Sequence, residues 1–281
     1  MLECPAAMKI TAQQEQKFYD DFYAQHLKFP DQALRCDRAH MLGYLADPAH
    51  PLYERKHLYR GALQRLLALP LKGCAVLDYG CGTGDWGVLL ATEGARVTLL
   101  DLSPVAIKVG LRRAEVNNVA DRVRGVACDA SDLRCFADAE FDLIYASAAL
   151  HHTLKYPHAV EELVRVLKPG GKLILAETYG NNRLLNLARR LRWRLSREPA
   201  EQGEDILLSA REINLLRPHF RHIEITPLNL LAMAKRLFRG RFTHAWVRKF
   251  VGALEAVDAV LLRLFPFLRR YCGEVIIAAE K

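Results

Sequence analysis

The run Val76-Leu77-Asp78-Tyr79-Gly80-Cys81-Gly82-Thr83-Gly84-Asp85-Trp86 joins an apolar strand to a glycine-rich turn and then to the start of a helix. Glycines at 80, 82 and 84 permit positive φ and let the backbone approach a ligand with no Cβ in the way, while the following helix turns its free N–H groups toward the same spot. Such a loop suits a nucleotide-type cofactor without saying which. Gly82, Gly84 and Gly87 also read as G-x-G-x-x-G with an acid about 20 positions on, the dinucleotide fingerprint, so an NAD-dependent oxidoreductase is one alternative. Asp78 argues against it. Two residues before the first glycine, a carboxylate meets a diphosphate as a like charge but favours a ligand bearing ammonium and sulfonium groups.

Two further strands end on acids. Ala95–Leu100 reads as a buried strand ending at Asp101, where a ribose diol would be gripped. Leu102-Ser103-Pro104 opens the next helix, expected over Ser103–Asn117, with a serine cap and proline at its first position. Arg122–Cys128 reads as a third strand ending at Asp129-Ala130, where a carboxylate can accept a hydrogen bond from an adenine amino group. Singly, such acids and glycines are ordinary turn and cap residues; their joint spacing points to a site. From Leu71 to Thr178 strands alternate with helices in the βαβ rhythm of a parallel sheet, which binds ligands at the carboxyl ends of its strands. Phe220–Thr226 and Glu274–Ala279 complete an expected seven-stranded α/β sheet.

In these motifs the chain resembles the class I S-adenosylmethionine-dependent methyltransferases, in particular the small-molecule group that includes the ubiquinone and menaquinone methyltransferases. Leu167-Lys-Pro-Gly-Gly-Lys-Leu-Ile-Leu-Ala176 matches that family's turn into strand five. The resemblance implies a doubly wound, Rossmann-like methyltransferase domain over 71–281, with S-adenosyl-L-methionine as cofactor. Asp78, Gly80 and Gly82 then hold the methionine part, Asp101 the ribose, and Asp129 with Ala130 the adenine. Tyr79, Cys81, Gly84, Leu102 and Ser147 are implied as further cofactor contacts. Cys81 and Cys128 are expected to fill small apolar space beside it.

The acceptor side is expected after strand four, Phe141–Ala146, at Ser147-Ala148-Ala149-Leu150-His151-His152-Thr153. Methyltransferases of exocyclic base amines carry N/D-P-P-Y/F there, and this chain does not. His151 and His152 are the only adjacent histidines. Imidazole suits removal of a proton from a hydroxyl or carbon acid, so His151 is the first catalytic candidate and His152 the second. The competing reading makes one of them structural. No cluster has convincing metal-ligand spacing, so no metal is expected.

Residues 1–70 precede the first strand and read as an N-terminal helical cap, with helices over Gln13–His26 and Tyr53–Leu69 and Pro30, Pro48 and Pro51 breaking the piece between. In relatives such a cap closes over the cofactor, which suggests Tyr19, Tyr23 or Tyr44 as lid residues. Seven scattered cysteines without C-x-x-C pairs, and a start without a signal-peptide pattern, lead us to expect a cytoplasmic protein with reduced thiols.

The net charge of +8 is local. Residues 183–198 hold six arginines and one glutamate, and 229–271 hold nine Lys and Arg against two acids. The latter segment reads as a basic amphipathic helical insertion before the last strand. Phe250, Leu254, Val257, Leu261, Leu264 and Leu268 lie at helical spacing, and Arg248, Lys249 and Arg263 lie off that stripe. Three readings follow: a lid packed on the sheet, peripheral contact with an anionic membrane at its inner face that admits an apolar acceptor, or binding to RNA phosphates. The aromatics follow the apolar stripe and do not interleave with the cations, which disfavours nucleic acid. The resulting expectation is methyl transfer to oxygen or carbon of a small acceptor, lipid-linked or isoprenoid and quinone-like. The alternatives are an RNA-directed enzyme, a non-catalytic S-adenosylmethionine- or RNA-binding protein on the same fold, and use of the cofactor for other chemistry.

Overall fold

A computed structural model describes residues 12–154, 156, 158–196 and 207–281. The expected start pattern at Met1–Pro5, and Arg197 and Glu198 of the first basic segment, lie outside the described residues. Seven strands, β1 (Ala75–Tyr79), β2 (Arg96–Asp101), β3 (Val123–Ala127), β4 (Phe141–Ser147), β5 (Leu167–Thr178), β6 (His222–Leu228) and β7 (Glu274–Glu280), form one sheet in the order β3-β2-β1-β4-β5-β7-β6. The pairs among β1 to β5 are parallel. β7 runs antiparallel between β5 and β6. Strand order reverses between β1 and β4, where a doubly wound sheet opens a crevice at its carboxyl edge.

The sheet is buried on both faces because its strands alternate into two cores. Val76, Val97, Leu99, Leu143 and Tyr145 pack into one, against α2 (Arg38–Ala46), α3 (Lys56–Leu67), α4 (Asp85–Thr92) and α5 (Pro104–Val116). Leu77, Tyr79, Leu100, Ile144 and Ala146 pack into the other, against the short α6 (Leu150–Thr153), α7 (Ala159–Val166) and α9 (Ala210–Leu216), while α8 (Arg183–Ser196) follows β5. Asp78 and Tyr79, adjacent on β1, therefore face opposite sides.

The N-terminal segment does two different jobs. α1 (Ala12–Ala24) lies along α5: the Ser103 hydroxyl donates to Asp20, and Arg112 donates to the Leu27 carbonyl at 2.7 Å and to Asp31 at 2.7 Å. α3 instead packs across β5 and β7, where Arg65 reaches Thr226 of β6 at 2.8 Å. Between them, where the prolines suggest a break, the chain forms α2, started by Asp37 accepting from the His40 N–H at 2.9 Å.

The insertion before β7 is helical as expected. It contains a 3-10 helix over Leu231–Phe238 and α10 (Ala245–Leu264). Its packed face differs from the expected stripe: α10 buries Val247, Val251 and Asp258, while Phe250, Val257 and Leu264 are exposed. Asp258 decides the orientation. Its carboxylate accepts from the N–H groups of Leu230, Leu231 and Ala232 at 2.8, 2.8 and 3.0 Å, capping the 3-10 helix and rotating α10 so that an acid is buried in place of a leucine.

Candidate active site

A cavity of about 270 Å³ opens at the carboxyl ends of β1 to β4. Its walls include Tyr79, Gly80, Asp101, Leu102, Asp129, Ala130, Ser147 and His152, eight of the thirteen residues expected from sequence. α1 closes one side with Glu15, Tyr19 and Tyr23. Tyr44 takes no part: its hydroxyl donates to the Arg35 carbonyl at 2.8 Å and its ring stacks on His50 at 4.3 Å.

The other expected residues lie behind the wall. Asp78 is buried and accepts the Gly87 N–H at 2.8 Å, holding the first turn of α4 to the end of β1. Burial, with some help from the charges of Asp85 and Asp101, pushes its carboxyl up to about 7. Cys81 and Gly82 continue the loop, and Gly84, at φ 74°, is the left-handed residue before α4. The glycine at 80 answers a crowded approach: at φ 67°, a Cβ there would stand 2.4 Å from the Ala149 Cβ. A Cβ at Gly82 would stand 3.1 Å from the Tyr23 hydroxyl, so this glycine lets the tyrosine of α1 lie against the loop.

Asp101 joins the loop to the cavity. One carboxylate oxygen accepts the Gly82 N–H at 2.8 Å and the other the Ser103 N–H at 2.9 Å, while the group borders the cavity. Burial raises its pKa, and these backbone N–H groups offset part of the rise. Asp129 is steadied by the Ser131 N–H at 2.8 Å. The Tyr79 hydroxyl lies 2.7 Å from the Ala130 carbonyl and 2.8 Å from the Thr153 hydroxyl. It thus links the loop after β3 to α6.

The two histidines separate. His151 is 2% exposed, with Nδ1 2.8 Å from Glu177 Oε2 at the end of β5. The His152 side chain is 30% exposed, borders the cavity, and has Nδ1 3.6 Å from Glu15 Oε1. Its ring lies 4.2 Å from that of His151 and meets Tyr19 edge-on at 6.5 Å. In this structure His152, the second candidate, faces the cavity, while His151, the first, is packed beneath it, because consecutive helical residues point about 100° apart.

Two residues that sequence reasoning missed organise the site. Glu177 is fully buried, and its Oε1 accepts the Ala149 and Leu150 N–H groups at 3.1 and 3.0 Å while Oε2 takes His151. One carboxylate therefore fixes the whole turn after β4. Arg113 on α5 donates to the Thr83 carbonyl at 2.9 Å and lies 3.0 Å from Asp85, pinning the glycine loop from behind. Neither pairing has a local sequence signal; each joins residues from separate strands or helices.

The sheet order with its antiparallel last strand, the glycine loop after β1 and the acid at the end of β2 define the class I S-adenosylmethionine-dependent methyltransferase fold. Within it, residues 76–171 match the model described as a methyltransferase domain. It is 39% identical over 120 residues to a demethylmenaquinone methyltransferase of Clavibacter sepedonicus, covering 43% of this chain and 47% of that protein. It is 37% identical over 111 residues to the 27-O-demethylrifamycin SV methyltransferase of Amycolatopsis mediterranei, covering 39% and 40%. The matched region thus spans about half or less of these curated relatives. Geranyl diphosphate C-methyltransferase from Streptomyces coelicolor A3(2) shares the fold at a TM-score of 0.58 and 18% identity, over 98% of this chain and 99% of that one.

Proposed function

We propose that the protein transfers a methyl group from S-adenosylmethionine to oxygen or carbon of a small, apolar acceptor of the isoprenoid or quinone-like class. The observation that carries this reading is the cavity itself, which Asp101, Asp129 and His152 all line. The cavity fits the cofactor chemically. A buried carboxylate braced by two backbone N–H groups suits a ribose diol, acids suit a cationic ligand, and tyrosines from α1 offer faces to a ring or a sulfonium. When bound, S-adenosylmethionine supplies an electrophilic methyl group on a sulfonium.

The chain's own residues do the rest. Asp101 grips the diol, and Asp129 with the backbone at Ala130 orients the adenine. Tyr19 and Tyr23 exclude water from above. His152 accepts the proton released by the attacking hydroxyl or carbon acid, and Glu15 beside it stabilises the imidazolium. His151, held by Glu177, positions the turn that carries His152 and so acts through its neighbour. The partial matches to a menaquinone-type enzyme and to a rifamycin enzyme support a small-molecule acceptor.

The test is transfer of a labelled methyl group to demethylated naphthoquinols and short isoprenoid alcohols. His152→Ala is expected to lower kcat roughly 10²–10⁴-fold, the usual range for a general base, with S-adenosylhomocysteine affinity kept within about threefold. A His152→Ala enzyme with wild-type kcat would remove the proton-transfer role.

A further inference from the structure

Scattered apolar side chains on a surface are ordinary, but a row in helical register is not. Along α10, Trp246, Phe250, Val257, Val260 and Leu264 are 58, 45, 44, 56 and 64% exposed. At 100° per residue they fall within an arc of about 80°. The packed residues Val247, Val251 and Asp258 project from the other side of the helix. Trp246 and Phe250 meet Phe238 of the 3-10 helix edge-on at 5.5 and 5.7 Å, yet all five side chains keep 44% or more of their surface exposed, so the row stays largely uncovered after the helix has packed.

The charges around that face have one sign. Lys249 and Arg263 flank it on the side away from the packed residues, and Arg269 and Arg270 follow the helix; all four are exposed, and none forms an ion pair with a described acid. Both acids of the segment are engaged elsewhere. Asp258 is buried as a cap for three N–H groups, and Glu255 lies 3.4 Å from Lys56 Nζ and 3.0 Å from His57 Nε2. The outward charge of the helix is thus cationic.

Topology places this helix at the edge that holds the cavity. β6 ends at Leu228, which pairs with Glu274 at the start of β7, and Glu274 pairs in turn with Thr178 at the carboxyl end of β5. The insertion therefore leaves from, and returns to, the carboxyl edge of the sheet. α8 leaves from the same edge and exposes Leu184, Leu187 and Leu191, 80, 54 and 50% accessible, within an arc of about 60°. Arg183 and Arg190 beside them are exposed as well.

We propose that α10, with α8, is a reversible docking surface for an anionic phospholipid membrane, with the apolar row at the level of the acyl chains and the cations on the headgroups. Apolar side chains in register with flanking cations are what an interfacial helix requires. No helix among the described residues is long and apolar enough to cross a membrane, so attachment is peripheral. The surface bears on the acceptor proposed above but rests on α8 and α10 alone, and its test needs neither cofactor nor acceptor.

The test is flotation of the full chain with vesicles of phosphatidylcholine alone or with 30% phosphatidylglycerol. Recovery is expected with the anionic vesicles at low salt, and loss of recovery is expected at high salt. Lys249→Gln/Arg263→Gln/Arg270→Gln should lower the partition coefficient roughly a hundredfold, about fivefold per charge. Trp246→Ser/Phe250→Ser should lower it at least tenfold, and Val260→Ser/Leu264→Ser, at side chains 56 and 64% exposed, should do so with the thermal midpoint kept. Failure of the wild type to float with anionic vesicles overturns the proposal. So does equal recovery on phosphatidylcholine alone, or sedimentation showing that the Trp246→Ser/Phe250→Ser pair abolishes a dimer, which would give the row to a second copy of the chain.

Discussion

Asp78 ties the glycine loop to the helix that follows it. Its carboxylate stands on the face of β1 opposite Tyr79, takes the Gly87 N–H, and is pushed up to about 7 by burial. A carboxyl whose folded pKa lies above its unfolded value contributes its full stabilisation below about pH 4, and that contribution is lost as pH rises through about 7. At one pKa unit per 1.36 kcal/mol the span is on the order of 4 kcal/mol. Asp78→Asn keeps an acceptor for Gly87 and cannot ionise. Urea unfolding of the cofactor-free variant, compared with wild type at pH 5 and pH 8, should show the variant gaining relative stability at the higher pH. A pH-independent difference would mean that Asp78 is not held near neutrality. The period-two alternation of a strand already places neighbours 78 and 79 on opposite faces, so this part of the site was readable from sequence in principle.

Gly80 belongs to the same scale. The 2.4 Å at which an added Cβ would meet Ala149, and the φ of 67°, mean that Gly80→Ala must displace the turn after β4. A loss of about 1–3 kcal/mol is expected in chemical denaturation, with reduced turnover in the surviving fold; unchanged stability would show that the loop has room to spare. Glu177 was invisible to sequence reasoning for a physical reason. Its three partners lie 26 to 28 positions away, and only the pairing of β4 with β5 brings them together. Among the two histidines, local spacing says that they diverge and does not say which one turns outward.

At the scale of elements, α1 lies along α5 and forms one side of the cavity, so its attachment to α5 bears on ligand release. Asp20 receives the Ser103 hydroxyl, and Ser103 in turn caps α5 by accepting the Ala106 N–H at 3.1 Å. Asp20→Ala leaves that cap in place and loosens α1. The expected outcome is faster release of S-adenosylhomocysteine in stopped-flow fluorescence, with the global unfolding midpoint little changed. If the release rate is unaffected, α1 is not the closing element. The strands and α5 were legible because apolar runs, the serine cap and Pro104 are local signals. α2 was hidden by the prolines on either side of it. The exposed face of α10 was hidden because several apolar rows run along one helix, and the buried Asp258 chose among them by tertiary contacts.

For the whole molecule, the sheet order brings four separate strand ends and one helix from outside the sheet to a single crevice, and the basic insertion leaves from that same edge. A buried charge cluster holds the insertion there. Burial alone would raise the pKa of Glu274, but Lys235, Arg55 and Arg236 outweigh it and hold the carboxyl at about 2. Glu274→Gln leaves Lys235 buried beside a neutral partner, and a loss of about 3–5 kcal/mol is expected, detectable as a lowered thermal midpoint.

Titration calorimetry with S-adenosylhomocysteine decides whether the crevice binds an S-adenosyl ligand through Asp101 and leaves His152 to the acceptor. Expected are saturable binding by the wild type, at least tenfold weaker binding by a folded Asp101→Ala variant, as for loss of hydrogen bonds to a charged group, near-normal binding by His152→Ala, and no comparable signal with NAD or NADP. Tight binding of NAD, or unchanged affinity in Asp101→Ala, would contradict that assignment.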